Sequence, residues 1–391
     1  MTPYFMLATF VTLLAALSYR VALRYSSPAL AGAGIGRMPG VTGGAPVHRS
    51  SSEEPGAADG AARAAKTWTI FDFLAVAALI CFSGLRYQVG TDYPTYELVF
   101  NSMNGADWGG AFEQSTQEVG YTTLMLLIKQ FTEDPKALFW IAAVLTVVPV
   151  YLGIKRVSAD PGFSVALFVA LEYAASFNAL RQYIAGSLLF LAWTYLGKRN
   201  VVFWVLALLA LSFHMTAILA IAVLLLVRHW RPTVRTTVFF MAGAVVVAGA
   251  VRVAPSLLSF LDVLNPRYSD YLESGQTGIG SYLQIFAYTA LLLLAVSVGR
   301  RNAPLTRTES QLAVYLLASI ALMIVGTQAI VLTRLAGYFG TFAIVLVPNR
   351  IARMEDRAVV TLLVLLAAGA YFAMDIMNYG EVIPYRTYLG N

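Results

Sequence analysis

Apolar stretches of roughly 17 to 25 residues, each long enough to cross a bilayer as a helix, recur along almost the whole chain. Nothing else constrains the fold so strongly, because a backbone in lipid must satisfy its own hydrogen bonds, as a helix does. The chain is 58% hydrophobic and 12% charged over 391 residues, which leaves little material for a water-facing shell. The expected fold is an all-α, polytopic transmembrane helical bundle.

Spans are expected near 4–22, 69–85, 137–154, 162–180, 182–197, 201–213, 214–227, 236–253, 282–299, 311–331, 335–349 and 358–375, about twelve in all by the length rule. Most of the 27 Lys and Arg then fall in six blocks, Arg20 to Lys66, Lys155-Arg156, Lys198-Arg199, Arg228 to Arg235, Arg300 to Arg307 and Arg350 to Arg357. Positive charge is retained on the cytoplasmic side, so these blocks mark that face. The segment 86–136 holds seven Asp or Glu against three Lys or Arg and belongs on the other side. Residues 119–131 are short and read as a span, a re-entrant segment or an interfacial helix, and 201–227 reads either as a hairpin or as one long span. Choosing a span at 119–131 and a single helix at 201–227 together would move Lys155-Arg156 and Lys198-Arg199 outside, against the charge rule.

Three units follow. Residues 1–25 read as an uncleaved transmembrane anchor with its N-terminus outside, because Arg20 and Arg24 follow the apolar run instead of preceding it as in a signal peptide. Residues 26–66, rich in Gly, Ala, Ser and Pro, read as a disordered cytoplasmic linker. Residues 67–391 form the multi-span domain, and no internal repeat is visible in it. The pI near 9.3 does not imply nucleic acid, because the basic residues are sorted by topology and not gathered into a patch. Cys81 stands alone and His48, His214 and His229 are scattered, so neither a disulfide nor a metal site is expected, and no cofactor.

With this topology the polar residues that the spans retain converge on one face. Arg86 and Asp92 follow the second span; Asn178, Arg181 and Gln182 sit between two spans; His214 lies at the top of the hairpin; Arg334 interrupts the apolar stretch 311–349. Each has a plain structural reading: a helix-end arginine snorkels, Asp92 forms an Asx-type turn after Gly90-Thr91, His214 bonds a backbone carbonyl, Tyr93 and its aromatic neighbours belong to an interfacial belt, and Glu172 is a buried partner for a basic or polar group. That reading is weakest for Arg181 and Arg334, since ionisable groups kept at such depth usually face a polar cavity.

The ordered set Arg86-Tyr87-x-x-Gly90-Thr91-Asp92-Tyr93-x-x-Tyr96, Asn178-x-x-Arg181-Gln182-x-x-Ala185, Phe213-His214-Met215-Thr216-Ala217, Arg334-x-x-x-Tyr338-Phe339 and Ile383-Pro384-Tyr385 resembles the EpsG family of Wzy-like bacterial exopolysaccharide polymerases, from about residue 69 to the end. The resemblance implies an inner-membrane, multi-pass glycosyltransferase with its active site facing the periplasm. It would join oligosaccharide repeat units carried on undecaprenyl diphosphate, among membrane lipids and beside a flippase and a chain-length regulator, without nucleic acid. A fold like that of the C-type glycosyltransferase polymerases and ligases is implied with it.

The chemistry fits those residues. Guanidinium groups neutralise a departing diphosphate through paired N–H donors without a metal, a role for Arg86, Arg181 and Arg334, while Asn178, Gln182, Tyr93 and Tyr338 complete the expected binding set. An attacking sugar hydroxyl needs a base, and Asp92 and His214 are the candidates. Two other readings stay open: a membrane glycan ligase, and a flippase or transporter for lipid-linked sugars. A transporter would favour midplane carboxylates, and only Glu172 lies well inside a span. A membrane acyltransferase would want an Asp next to His214, which the sequence lacks.

Overall fold

The computed structural model describes residues 1–26, 63–105, 107–254, 279–297, 304–328, 330–378 and 380–390. Residues 27–62 of the expected linker lie outside the described residues, while 63–66 of it are helical. The elements are α1 (Thr2–Ser26), α2 (Ile70–Leu85), α3 (Tyr93–Ser102), α4 (Trp108–Gln114), α5 (Val119–Lys129), α6 (Lys136–Val157), α7 (Pro161–Phe168), α8 (Leu180–Trp193), α9 (Asn200–Phe213), α10 (Ala217–Leu226), α11 (Val234–Val253), α12 (Ile279–Ser297), α13 (Arg307–Gly326), α14 (Ile330–Gly340), α15 (Ala343–Ile351) and α16 (Arg357–Asn378). Among the described residues there is no strand, only an isolated antiparallel bridge between Arg86 and Thr387.

Among the described residues, six helices, α1, α6, α11, α12, α13 and α16, are long and apolar enough to cross a membrane. Their outward faces stay apolar, with Phe239 71% and Leu366 62% exposed. That is the surface of a bundle solvated by lipid, where apolar side chains on the outside carry no penalty.

The helices share two ends. At one end α2 and α13 begin in capping boxes. Thr69 Oγ1 accepts from Phe71 N at 3.2 Å while Asp72 accepts from Thr69 N at 2.8 Å, and Thr306 and Glu309 repeat the pattern at 3.2 and 2.8 Å. The reciprocal bonds satisfy donors that a helix start otherwise strands. Both capping acids also hold cations: Asp72 takes Lys155 at 3.2 Å, and Glu309 takes Arg353 at 3.2 Å and Arg350 at 3.5 Å. Asn349, donating to Val157 O at 2.9 Å, joins α15 to α6 here.

The hairpin reading of 201–227 matches the structure. The chain breaks at His214, whose backbone is extended (φ −154). Both outer limbs return to the capping-box end: Arg156 donates to Thr194 Oγ1 at 2.9 Å just before α9, and Gln311 donates to Arg228 O at 2.8 Å just after α10. Helix α5 is about 16 Å long at 1.5 Å per residue, too short to span. Glu118 at its start meets His214, and Gln130 just past its end donates to Gly105 O at 2.7 Å, so it lies along the opposite end of the bundle.

Two expected spans are discontinuous. The span expected at 162–180 is α-helical only to Phe168, then passes through a π-helical turn, Val169–Tyr173, and a 3-10 turn, Ala175–Phe177. Tyr173 Oη donates to Leu79 O at 2.6 Å and Glu172 accepts from Tyr288 Oη at 2.6 Å, tertiary bonds that reward the widened turn. The span expected at 335–349 is divided into α14 and α15.

Candidate active site

The end opposite the capping boxes is assembled from stretches far apart in the chain. After α2 the backbone turns at Gly90, whose φ of +104 suits glycine, and where a Cβ would come within 2.7 Å of Asn178 Oδ1. The C-terminal tail pins this turn: Gly90 N donates to Glu381 O at 3.1 Å and Thr91 N to Gly380 O at 3.0 Å. Asn178, at the end of the broken span, ties the pieces together. Its Oδ1 accepts from Asp92 N at 3.3 Å, its Nδ2 donates to Gly380 O at 3.1 Å, and its carbonyl accepts from Tyr96 Oη at 2.8 Å. Tyr96 Oη in turn accepts from Leu180 N at 3.0 Å, serving the first turn of α8.

Asp92 stands at the start of α3 without making a side-chain cap. Its carboxylate has no hydrogen bond or ion pair among the described residues, so it is not the Asx-type turn former that the sequence allowed. It borders two adjoining cavities. The smaller, of about 190 Å³, is lined by Asp92, Tyr96, Tyr121, Arg181, Gln182, His214 and Arg334 among others. The larger, of about 520 Å³, includes Asp92, Asn178, Gln182, Arg334, Gln284, Tyr371 and Asp375. Asp92, Ala179, Gln182 and Arg334 are common to both and form the wall between them.

Glu118, just before α5, organises the smaller cavity. Its carboxylate is ion-paired with Arg181, accepts from His214 Nδ1 at 2.7 Å and from Met215 N at 3.3 Å. Burial pushes this carboxyl up, but the His214 hydrogen bond and the Arg181 and His214 charges outweigh burial and bring it from 4.5 to about 2. An ionised carboxylate only accepts, so Nδ1 carries the proton. The Nε2 position is then the one left to exchange protons or bind an anion. Gln182 donates to the Arg334 carbonyl and fixes the first turns of α14 against α8.

Five of the residues singled out in the sequence, Asp92, Arg181, Gln182, His214 and Arg334, thus meet on one cavity, and Asn178 on its neighbour. Three lie behind the walls. Arg86 is buried at 1% exposure: its guanidinium donates to Ser83 O at 2.7 Å, Ser83 Oγ at 2.6 Å and Phe177 O at 3.4 Å, and lies over the Phe177 and Phe139 rings at 4.5 and 5.0 Å. It has no carboxylate partner among the described residues, Asp92 included. Tyr93 is fully buried and stacked on Phe139 with centroids 4.0 Å apart. Tyr338 meets Thr216 Oγ1 at 3.1 Å and lines a small void beneath Gln182. Sequence reasoning passed over Glu118; the available signal was its place as the acid directly before the apolar run 119–131. Among the described residues no three His, Cys, Asp or Glu side chains gather as a metal site would require.

The profile of the EpsG family matches residues 69–387. The chain belongs to the EpsG family. Neither the curated proteins nor the solved structures contain a match. The matched stretch takes in the whole of this EpsG site, from the Gly90 turn to the tail at Gly380. Helix α1 precedes the match yet packs into the same bundle, with Tyr4 Oη donating to Val382 O at 2.8 Å.

Proposed function

We propose that this EpsG protein is a metal-independent membrane glycosyltransferase, a polysaccharide polymerase. It joins oligosaccharide repeat units carried on undecaprenyl diphosphate at the periplasmic face of the bacterial inner membrane, within a bundle of about twelve spans of which the first is the N-terminal anchor and the rest belong to the domain of residues 67–391. The observation that carries the reading is the meeting of two arginines from distant helices, Arg181 and Arg334, with an unpartnered carboxylate, Asp92, around one cavity.

The reaction follows from what these groups do. The acceptor hydroxyl oxygen bonds to the anomeric carbon of the donor glycan as the bond from that carbon to the diphosphate oxygen breaks. The electron pair leaves with undecaprenyl diphosphate, where the Arg181 and Arg334 guanidiniums meet the growing charge. The hydroxyl proton passes to Asp92, which stands on the wall common to both cavities. A second assignment gives this proton to His214 Nε2, and the Glu118 bond to Nδ1 favours it, since a carboxylate behind an imidazole makes the far nitrogen the basic one. Flippase and chain-length regulator proteins are the expected partners.

Deletion of the gene followed by resolution of lipid-linked glycans tests the activity. Accumulated single repeat units without polymer are the expected result. Intact polymer left unattached would identify a ligase, and units trapped on the cytoplasmic side would identify a transporter.

A further inference from the structure

We infer that the larger cavity is a glycan subsite and that Asp375 holds a sugar hydroxyl there, a refinement that rests on the polymerase reading above. The two cavities differ in charge. Around the smaller one stand Arg181, His214 and Arg334, whereas in the larger one the cation is Arg334, on the common wall, and the polar side chains beyond it include Asn178, Gln284, Ser281, Tyr371 and Asp375.

Asp375, on the last turn of α16, makes no hydrogen bond or ion pair among the described residues. Two hydroxyl donors in the same part of the bundle are engaged elsewhere: Tyr288 Oη donates to Glu172 at 2.6 Å, and Tyr183 also bonds Glu172. A carboxylate only accepts, and two oxygens offer several lone pairs. What satisfies it is a neutral ligand rich in hydroxyl donors; a diphosphate would be repelled. The volume, about 520 Å³, falls in the roughly 300–1,000 Å³ typical of small-molecule sites and far exceeds a single water. Amide, hydroxyl and aromatic groups beside an acid are the lining that a sugar needs. The common wall then places the sugar's attacking hydroxyl beside Asp92 and Arg334, between the glycan on one side and the diphosphate on the other.

The test uses full-length protein in nanodiscs and two probes: the repeat-unit oligosaccharide released from its lipid by mild acid, and undecaprenyl diphosphate without sugar. Binding is measured calorimetrically for wild type, Asp375→Asn and, from a different helix, Gln284→Ala. Asp375→Asn is expected to weaken the oligosaccharide by about tenfold or more, the scale of a lost hydrogen bond to a charged group, and to leave undecaprenyl diphosphate unchanged. Gln284→Ala should act in the same direction by less. Oligosaccharide binding equal to wild type in Asp375→Asn, or equal loss of both probes, overturns the inference, as does a wild-type protein that takes undecaprenyl diphosphate alone. Wild-type protein that binds neither probe instead overturns the polymerase reading.

Discussion

Lys155–Asp72 and Arg181–Glu118 are both ion pairs set into an apolar bundle, at opposite ends, and they are built differently. Lys155 and Asp72 are 2% and 0% exposed. Asp72 also accepts from Tyr151 Oη at 2.8 Å, from Thr69 N at 2.8 Å and from Ser18, and Lys155 donates to Thr67 O at 2.7 Å. No buried side-chain polar atom of this cluster lacks a partner, and the cluster borders neither of the two cavities. Arg181 and Glu118 are 27% and 17% exposed, and Arg181 lines a cavity in which Asp92 is unpartnered. A closed network fixes where helices start and how they pack, while an open one keeps capacity for a ligand. The candidate site is the end where an ion pair adjoins a cavity that a carboxylate without a partner also lines.

The largest stability effect is expected at the closed end. Lys155→Met strands Asp72, and breaking a buried pair costs roughly 3–5 kcal/mol. Thermal unfolding of the purified protein should drop sharply, while polymer made per folded molecule stays at the wild-type level. A stable Lys155→Met protein with lost activity would erase the contrast between the ends.

The open end should behave in reverse. Arg181→Ala is expected to reduce polymerisation by roughly 10- to 150-fold, the worth of a charge-assisted hydrogen bond, with a smaller loss of stability than Lys155→Met. Arg181→Lys should fail almost as badly, because lysine keeps the charge but loses the planar paired donors. Measured polymer length and lipid-linked monomer at matched membrane levels decide it; wild-type polymer from the lysine variant would reduce the site to simple charge.

A smaller effect sharpens the comparison by pH. Glu118 is held at about 2 against an unfolded 4.5, so its ionised form stabilises the fold fully above about pH 4.5, and that contribution is lost as pH falls toward 2. The stability difference between wild type and Glu118→Gln should therefore shrink as pH falls from about 4.5 toward 2. A difference unchanged down to about pH 2 would mean that His214 and Arg181 do not hold this carboxylate in its ionised form.

The same contrast explains what the sequence could reveal. Helices lie at the apolar runs, six of them among the described residues long and apolar enough to cross a membrane, because hydrophobic length is a local property, and the hairpin at His214 follows from the basic blocks on either side of it. The interruption at Val169–Tyr173 is not local: it depends on Leu79 and Tyr288 from other helices. Asp92, Arg181 and Arg334 were legible as polar residues in apolar surroundings. Glu118 was hidden among the acids of the segment 86–136, because its partners lie 63 and 96 residues away. Arg86 had the same signal as Arg181 at a helix end, and only the rings of Phe139 and Phe177 distinguish a packed guanidinium from one that faces a cavity.

The most direct measurement is elongation by purified protein in proteoliposomes supplied with lipid-linked repeat units, comparing wild type with Asp92→Asn. Wild type should yield a ladder of polymer with release of undecaprenyl diphosphate. Asp92→Asn should fold and bind the lipid-linked unit normally yet elongate about 10²- to 10⁴-fold more slowly, the usual worth of a positioned base. A ladder of wild-type rate and length from a well-folded Asp92→Asn protein would contradict the assignment of Asp92 and pass the proton to His214.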